Sequence, residues 1–128
     1  ALAEEYSKIL VSFMREEGFY LELPALQRGL MWGIGRLAQV RPELLRTWQA
    51  PRHLLPYLDS EDHIVRALAA RALGLLGVRE AGPAIAGLLQ ETSSITLYAD
   101  GRLSQVSTAS LAKAALAAIP PSPRAIIT

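Results

Sequence analysis

The chain has 128 residues, 51% of them hydrophobic and 20% charged, and its 13 basic and 12 acidic side chains leave a formal net charge of +1. That much apolar side chain supports a packed core and excludes disorder over most of the chain, while no apolar run reaches the ~18 residues needed to span a bilayer. The balanced charge argues against a dedicated phosphate binder, and the absence of cysteine excludes disulfides, thiol catalysis and cysteine-held metals. A cysteine-free chain suits a reducing compartment, so the expected location is cytoplasmic. The chain starts at Ala1 without an initiator Met or a signal-peptide pattern, in what already reads as helix, which suggests a piece of a longer protein. Of the 13 basic residues 11 are Arg, with only Lys8 and Lys113 as Lys. Arginine makes bidentate and stacked contacts that lysine cannot.

Residues 1–17 read as an amphipathic helix, with Leu2, Tyr6, Ile9, Leu10, Phe13 and Met14 at helical spacing and Gly18 as its stop. FYLEL (19–23) is a connector, and Pro24 suits the first turn of a second helix running to about Ala38. Shorter helices follow over 42–49 and 51–58, each opened by a proline, so that together they can form one kinked unit. The turn at 59–62 is rich in capping residues. Ser60 or Asp62 can cap a helix that runs to about Leu76 and ends at Gly77. Another helix is expected over 81–91. In ITLYADGRLSQV (95–106) two β-favouring runs flank Asp100-Gly101, a pair that tolerates positive φ and predicts a two-residue hairpin turn. A last helix spans 107–119, PPSP (120–123) stops it, and 124–128 is a loose tail. The expected organisation is one domain over 1–119 with a hairpin insertion at 95–106, then the proline-rich stop and tail over 120–128.

The helix signal at 58–77, LDSEDHIVRALAARALGLLG, is apolar over most of its circumference. At ~100° per residue Val65, Ala69, Ala72 and Leu76 form one stripe, which Leu68, Leu73 and Leu75 widen. Such a helix needs neighbours on more than one side, and related helices supply them. LAARALGLLG (68–77) aligns with GLMWGIGRLA (29–38) at an offset of 39 and with LAKAALAAIP (111–120) at an offset of 43. The shorter LLPYLDS (54–60) matches the stretch around AIAGLLQ (84–90) at an offset of 31, where Leu58 meets Leu89. Unequal offsets mean that loops vary while helices persist. The expected fold class is all-α, a short α-α superhelix of about three stacked helical repeats with one inserted β-hairpin.

The stretch 54–90 resembles a HEAT-type repeat of the phycobilisome-lyase-like subgroup, through the acidic turn Asp59-Ser60-Glu61-Asp62, the pair Val65-Arg66, Ala69, Ala72-Leu73-Gly74, Leu76-Gly77, and Ala84-Ile85 leading to Leu88-Leu89. The likeness extends more weakly over 24–119. It implies an α-solenoid whose second helices line a concave face, and inter-repeat hydrogen bonds from Asp62 and Arg66. In the last repeat Gln105 and Ala109 replace that pair, so the ladder is expected to break there. HEAT-like iron hydroxylases carry repeated His-Glu pairs, and neither His53 nor His63 is followed by Glu.

No metal-ligand spacing or nucleophile elbow is present, so no catalytic residue, metal or cofactor is expected. With Val65 set at zero, His63, Ala67, Ala70 and Gly74 point away from the core, flanked by Arg66 and Arg71. The equivalents of Ala67, Ala70 and Arg71 are Arg28, Met31 and Trp32 in the preceding repeat, and Ser110, Lys113 and Ala114 in the following one. The expected partner surface is therefore Arg28, Met31, Trp32, His63, Arg66, Arg71 and Lys113, with Trp32 and Arg71 placed for a stacked cation–π contact. Trp48 and Tyr57 are expected to pack against the adjacent repeat. Tyr98, Asp100, Gly101 and Arg102 would stand out on the hairpin, anchored by Ile95, Leu97 or Leu103. The partner class that follows is a protein or peptide, not a membrane and not nucleic acid, with homo-oligomers open through exposed terminal repeats and the tail's Ile126 and Ile127. The alternatives are nucleic-acid binding of the DNA-repair kind known among HEAT-like proteins, and a lyase acting on a chromophore or cofactor.

Overall fold

The computed structural model describes residues 2–15, 24–99 and 101–119. In chain order these form α1 (Leu2–Arg15), α2 (Pro24–Val40), α3 (Pro42–Thr47), α4 (Ala50–Leu54), α5 (His63–Leu75), α6 (Gly82–Ala86), β1 (Ser94–Ala99), β2 (Arg102–Ser107) and α7 (Thr108–Ala118). The connector at 16–23 with Gly18, the turn residue Asp100, and the segment 120–128 lie outside the described residues, as do the side chains of Met14 and Tyr98. Among the described residues no helix is long and apolar enough to cross a membrane.

The helix ends follow local chemistry. Asp62 caps α5 by accepting hydrogen bonds from the backbone N–H groups of Ile64 and Val65. Gly77, at φ +66°, closes the same helix. Its N–H donates to the Gly74 carbonyl and that of Val78 to the Leu73 carbonyl, a Schellman pair. Ser107 and Ser110 form a reciprocal capping box on α7. The proline-opened pair separates into α3 and α4 at Gln49, which takes a left-handed φ of 60°. After Leu54 the chain tightens into a 3₁₀ turn over Leu55–Asp59, as the missing N–H of Pro56 requires. The helix expected over 81–91 shortens for a related reason. Gly82-Pro83 and Gly87 confine it to a 3₁₀ turn, Gly82–Ala86 and further turns.

The hairpin forms in the expected register, Ala99 opposite Arg102 and Ser94 opposite Ser107, with Gly101 at φ +74°. Ile95 and Leu97 are buried, while Leu103 is 72% exposed. One face of β1 therefore anchors the hairpin.

α5 packs against both α2 and α7, its two most extensive partners. A Cβ on Gly74 would lie 2.6 Å from the Ala115 Cα, so the α5–α7 approach requires glycine there. This double packing corrects part of the sequence reading. Ala67, Ala70 and Gly74 do not face outward; all three are buried, with Val65, Leu68, Ala69, Ala72 and Leu73. A helix with neighbours on two sides has no broad open face, and short side chains at these positions vanish beneath the neighbouring helices. What reaches the surface of α5 is a strip containing His63, Ile64, Arg66, Arg71 and Leu75.

α1 differs. It packs on α2, α3 and α4 through Ser7, Leu10 and Val11, while Leu2, Tyr6, Ile9 and Phe13 are 84%, 49%, 51% and 40% exposed. The apolar stripe read from the sequence is real, but most of it faces away from the core.

Candidate partner-binding cleft

The arginines of α2 and α5 fall into two groups. Arg28, on the second turn of α2, reaches the start of α5: its Nε donates to Asp62 Oδ2 at 3.0 Å and its Nη2 to the same oxygen. The Asp62 carboxyl is held below its ordinary value, mainly by this hydrogen bond and then by the backbone N–H groups it caps. Arg66 repeats the arrangement one helix further on. Its Nε donates to Glu91 Oε2 at 3.1 Å, its Nη2 to Glu91 Oε1, and its Nη1 to the Ser60 carbonyl at 2.7 Å. Among the described residues the hydrogen bonds between packed helices do not stop before α7, as Gln105 and Ala109 had led us to expect. Glu91 replaces the missing acid, and its carbonyl accepts from the Ala109 N–H on the first turn of α7 at 2.7 Å. The paired hairpin base, Ser94 opposite Ser107, explains how. The insertion separates the acid from α7 in sequence and returns the chain to the same place in space.

Arg28 and Arg66 are thus committed to holding helices together. Of the other expected contact residues, Met31 is fully buried, because it shares the core-facing side of α2 with Ile34 and Ala38. Its expected exposure rested on equivalence with Ala70, which is itself buried. His63 is half-buried on the first turn of α5, and Lys113 is exposed on α7. Gly101 and Arg102 are exposed at the hairpin tip. Trp48 lies beneath Lys8, whose Nζ stands 5.5 Å from the ring centre, which ties α1 to the turn after α3. Tyr57 is half-buried against the core, and burial raises its phenol above the ordinary value.

The remaining pair, Trp32 and Arg71, comes together in a cleft of about 570 Å³ between α1, α2 and α5, lined by Tyr6, Gly29, Trp32, Gly33, Arg36, Gln39 and Arg71. Gly29, Trp32, Gly33 and Arg36 recur at helical spacing, so one face of α2 forms the floor. The glycines shape it. A Cβ on Gly33 would press on Leu10 and the Tyr6 hydroxyl at 3.1 and 3.2 Å. One on Gly35 would meet Arg71 Nη1 at 2.9 Å, so the Arg71 guanidinium lies close against the α2 backbone beside Arg36. Beyond Arg71 a smaller hollow of about 160 Å³ continues between α5 and α7, lined by Gly74, Leu75, Leu111, Ala114, Ala115 and Ala118. Neither lining contains a carboxylate, histidine or hydroxyl other than that of Tyr6, so no acid–base pair converges there. Among the described residues no group of three or more histidine and carboxylate side chains is placed to hold a metal.

Tyr6, Arg36 and Gln39 were not among the expected contact residues. Arg36 follows Trp32 by one helical turn and carried that signal; Tyr6 did not, because its spacing reads equally as core. No protein-family model, curated protein or solved structure matches this chain.

Proposed function

We propose that this chain is a HEAT-like α-solenoid module that binds a protein or peptide without catalysing a reaction, and that the cleft between α1, α2 and α5 is its binding site. The observation that carries this reading is the convergence of Trp32, Tyr6, Arg36 and Arg71 from three helices on one open cleft. Aromatic and arginine side chains are those enriched at binding hot spots, and helices packed into a rigid stack present them at little ordering cost. The three packed helices α2, α5 and α7 and the ion pairs that step between them support the solenoid. The commitment of Arg28 and Arg66 to intramolecular carboxylates leaves fewer free cations for a nucleic-acid backbone.

The test is affinity capture from the source cell's lysate. Native protein is compared with Trp32→Ala/Arg36→Glu in the cleft and with Arg52→Glu, an exposed control beside Trp48. The reading expects a protein held by the native and control forms and released by the folded cleft variant. A partner that stays on the cleft variant would remove the cleft from the account.

A further inference from the structure

The hairpin carries an open sheet edge. The Thr108 N–H donates to the Ser93 carbonyl at 2.9 Å, one step beyond the Ser94–Ser107 pair at the hairpin base. Bonded and non-bonded pairs alternate along an antiparallel ladder. Counted from that bond, Ile95 with Val106, Leu97 with Ser104 and Ala99 with Arg102 exchange hydrogen bonds across the ribbon. The main-chain groups of Leu103, Gln105 and Ser107 therefore point away from β1, along the outer edge of β2. Ser107 commits its groups to α7, donating to Ser110 Oγ and accepting the Ser110 hydroxyl. Among the described residues nothing bonds the N–H or C=O of Leu103 or Gln105. β1 has an outward edge too, at Thr96, but its Ile95 and Leu97 are buried, so that strand lies along the helical body. Ser104 shares a face with Leu97, its cross-strand partner, and is still exposed, as are all of Arg102–Gln105. β2 is thus the strand that stands away from the body. Its edge lacks the features that keep sheet edges apart: it has no proline, no bulge in its register, and one charge, Arg102, at its end. Among the described residues Leu103 is the most exposed large apolar side chain after Leu2.

We infer that β2 pairs antiparallel with β2 of a second copy of this chain, joining two hairpins into one four-stranded sheet. The edge is self-complementary in one register. With Leu103 opposite Gln105 of the second copy, and the two-fold axis at Ser104, every outward N–H meets an outward C=O. A shift of two residues either way brings in Gly101 of the turn or the already bonded Ser107. The same register sets the two Leu103 side chains at diagonal sites, about 7–8 Å apart, within reach of each other. Arg102 then faces Val106 of the second copy, so the two arginines stay apart and no like charges meet.

The experiment is sedimentation equilibrium of the full chain over a concentration series, with amide hydrogen exchange read by NMR at both ends of that series. The expected result is a mass that rises from 13.9 kDa toward twice that value. Where about nine-tenths of the chain is dimeric, the Leu103 and Gln105 N–H groups should exchange about tenfold more slowly than in the monomer. Those of Ser104 and Val106, bonded within the hairpin, should exchange equally at both ends. Gln105→Pro removes an outward donor and no bond of the hairpin, as suits proline on an edge strand, and should hold the mass at the monomer value. Leu103→Lys sets two ammonium groups at the diagonal sites and should weaken the dimer more at low salt than at high salt. A monomer mass at every concentration would overturn the inference. So would a dimer in which Leu103 and Gln105 exchange as fast as in the monomer, or one that Leu103→Lys leaves undiminished at low salt.

Discussion

Arg66 and Arg71 lie five residues apart on α5, and Arg28 and Arg36 eight apart on α2, yet the members of each pair stand in different surroundings. The earlier arginine in each helix meets an acid that stands by the next packed helix, Asp62 at the start of α5 and Glu91 beside the first turn of α7. The later one opens onto a cleft whose lining holds no acid. Residue type is the same throughout. Under the proposed reading the first of each pair belongs to the frame and the second to the binding cleft.

This comparison can be broken at its frame first. Gly74→Val forces branched bulk against the Ala115 backbone, where even a Cβ would stand 2.6 Å from Cα. Denaturant unfolding should show a loss of about 2–3 kcal/mol, and the hollow beyond Arg71 should open as α5 and α7 separate. An unchanged midpoint would mean that the helices do not approach so closely.

The ladder is the next target. Asp62→Ala removes the cap of α5 and should cost about 1–2 kcal/mol, with further loss from the stranded Arg28. The Asp62 carboxyl is held below its ordinary value in the folded state by Arg28 and the capped N–H groups. Its contribution is therefore complete above the unfolded value of about 3.9 and is lost as pH falls through that value toward the lower folded one. Thermal unfolding from pH 6 to pH 3 should fall more steeply for the native protein than for Asp62→Asn. Parallel curves would show that the pair contributes nothing measurable.

The smallest effect sharpens the other side. Gly29 sits inside α2 with open space where a Cβ would go, so Gly29→Ala should stabilise the helix by about 0.5–1 kcal/mol. It should also narrow the cleft and weaken capture of the partner. A gain in stability with unaltered binding would place the ligand away from the α2 floor.

Much of the frame is legible in the residues. Asp100-Gly101 between β-favouring runs marks the hairpin, and Asp62 and Gly77 mark both ends of α5 because capping chemistry is local. Alanine-rich composition around the whole of α5 signals a helix packed on several sides. The same fact should have warned against assigning Ala67, Ala70 and, by equivalence, Met31 to an open face: burial on both sides leaves no direction free. Glu91 is illegible for another reason, since the hairpin places sixteen residues between it and Thr108, and only the pairing of Ser94 with Ser107 returns it to the start of α7. The alignment of 29–38 with 68–77 put Trp32 and Arg71 at equivalent positions, and both line the same cleft. Arg36, one turn past Trp32, was legible in the spacing of α2; Tyr6 needed the packing of α1 on α2, which no spacing within one helix reports.

The most direct test of the division between the two sets of arginines is the thermal unfolding of Arg66→Gln beside Arg36→Gln, two neutralisations identical in chemistry. Arg66→Gln removes hydrogen bonds to Glu91 and to the Ser60 carbonyl and should cost about 1 kcal/mol, a fall in Tm of roughly 4 °C. Arg36→Gln should leave Tm within about 1 °C, as surface substitutions away from such features do. Equal losses in the two variants would contradict the account, because Arg36 would then be part of the frame and not of the binding cleft.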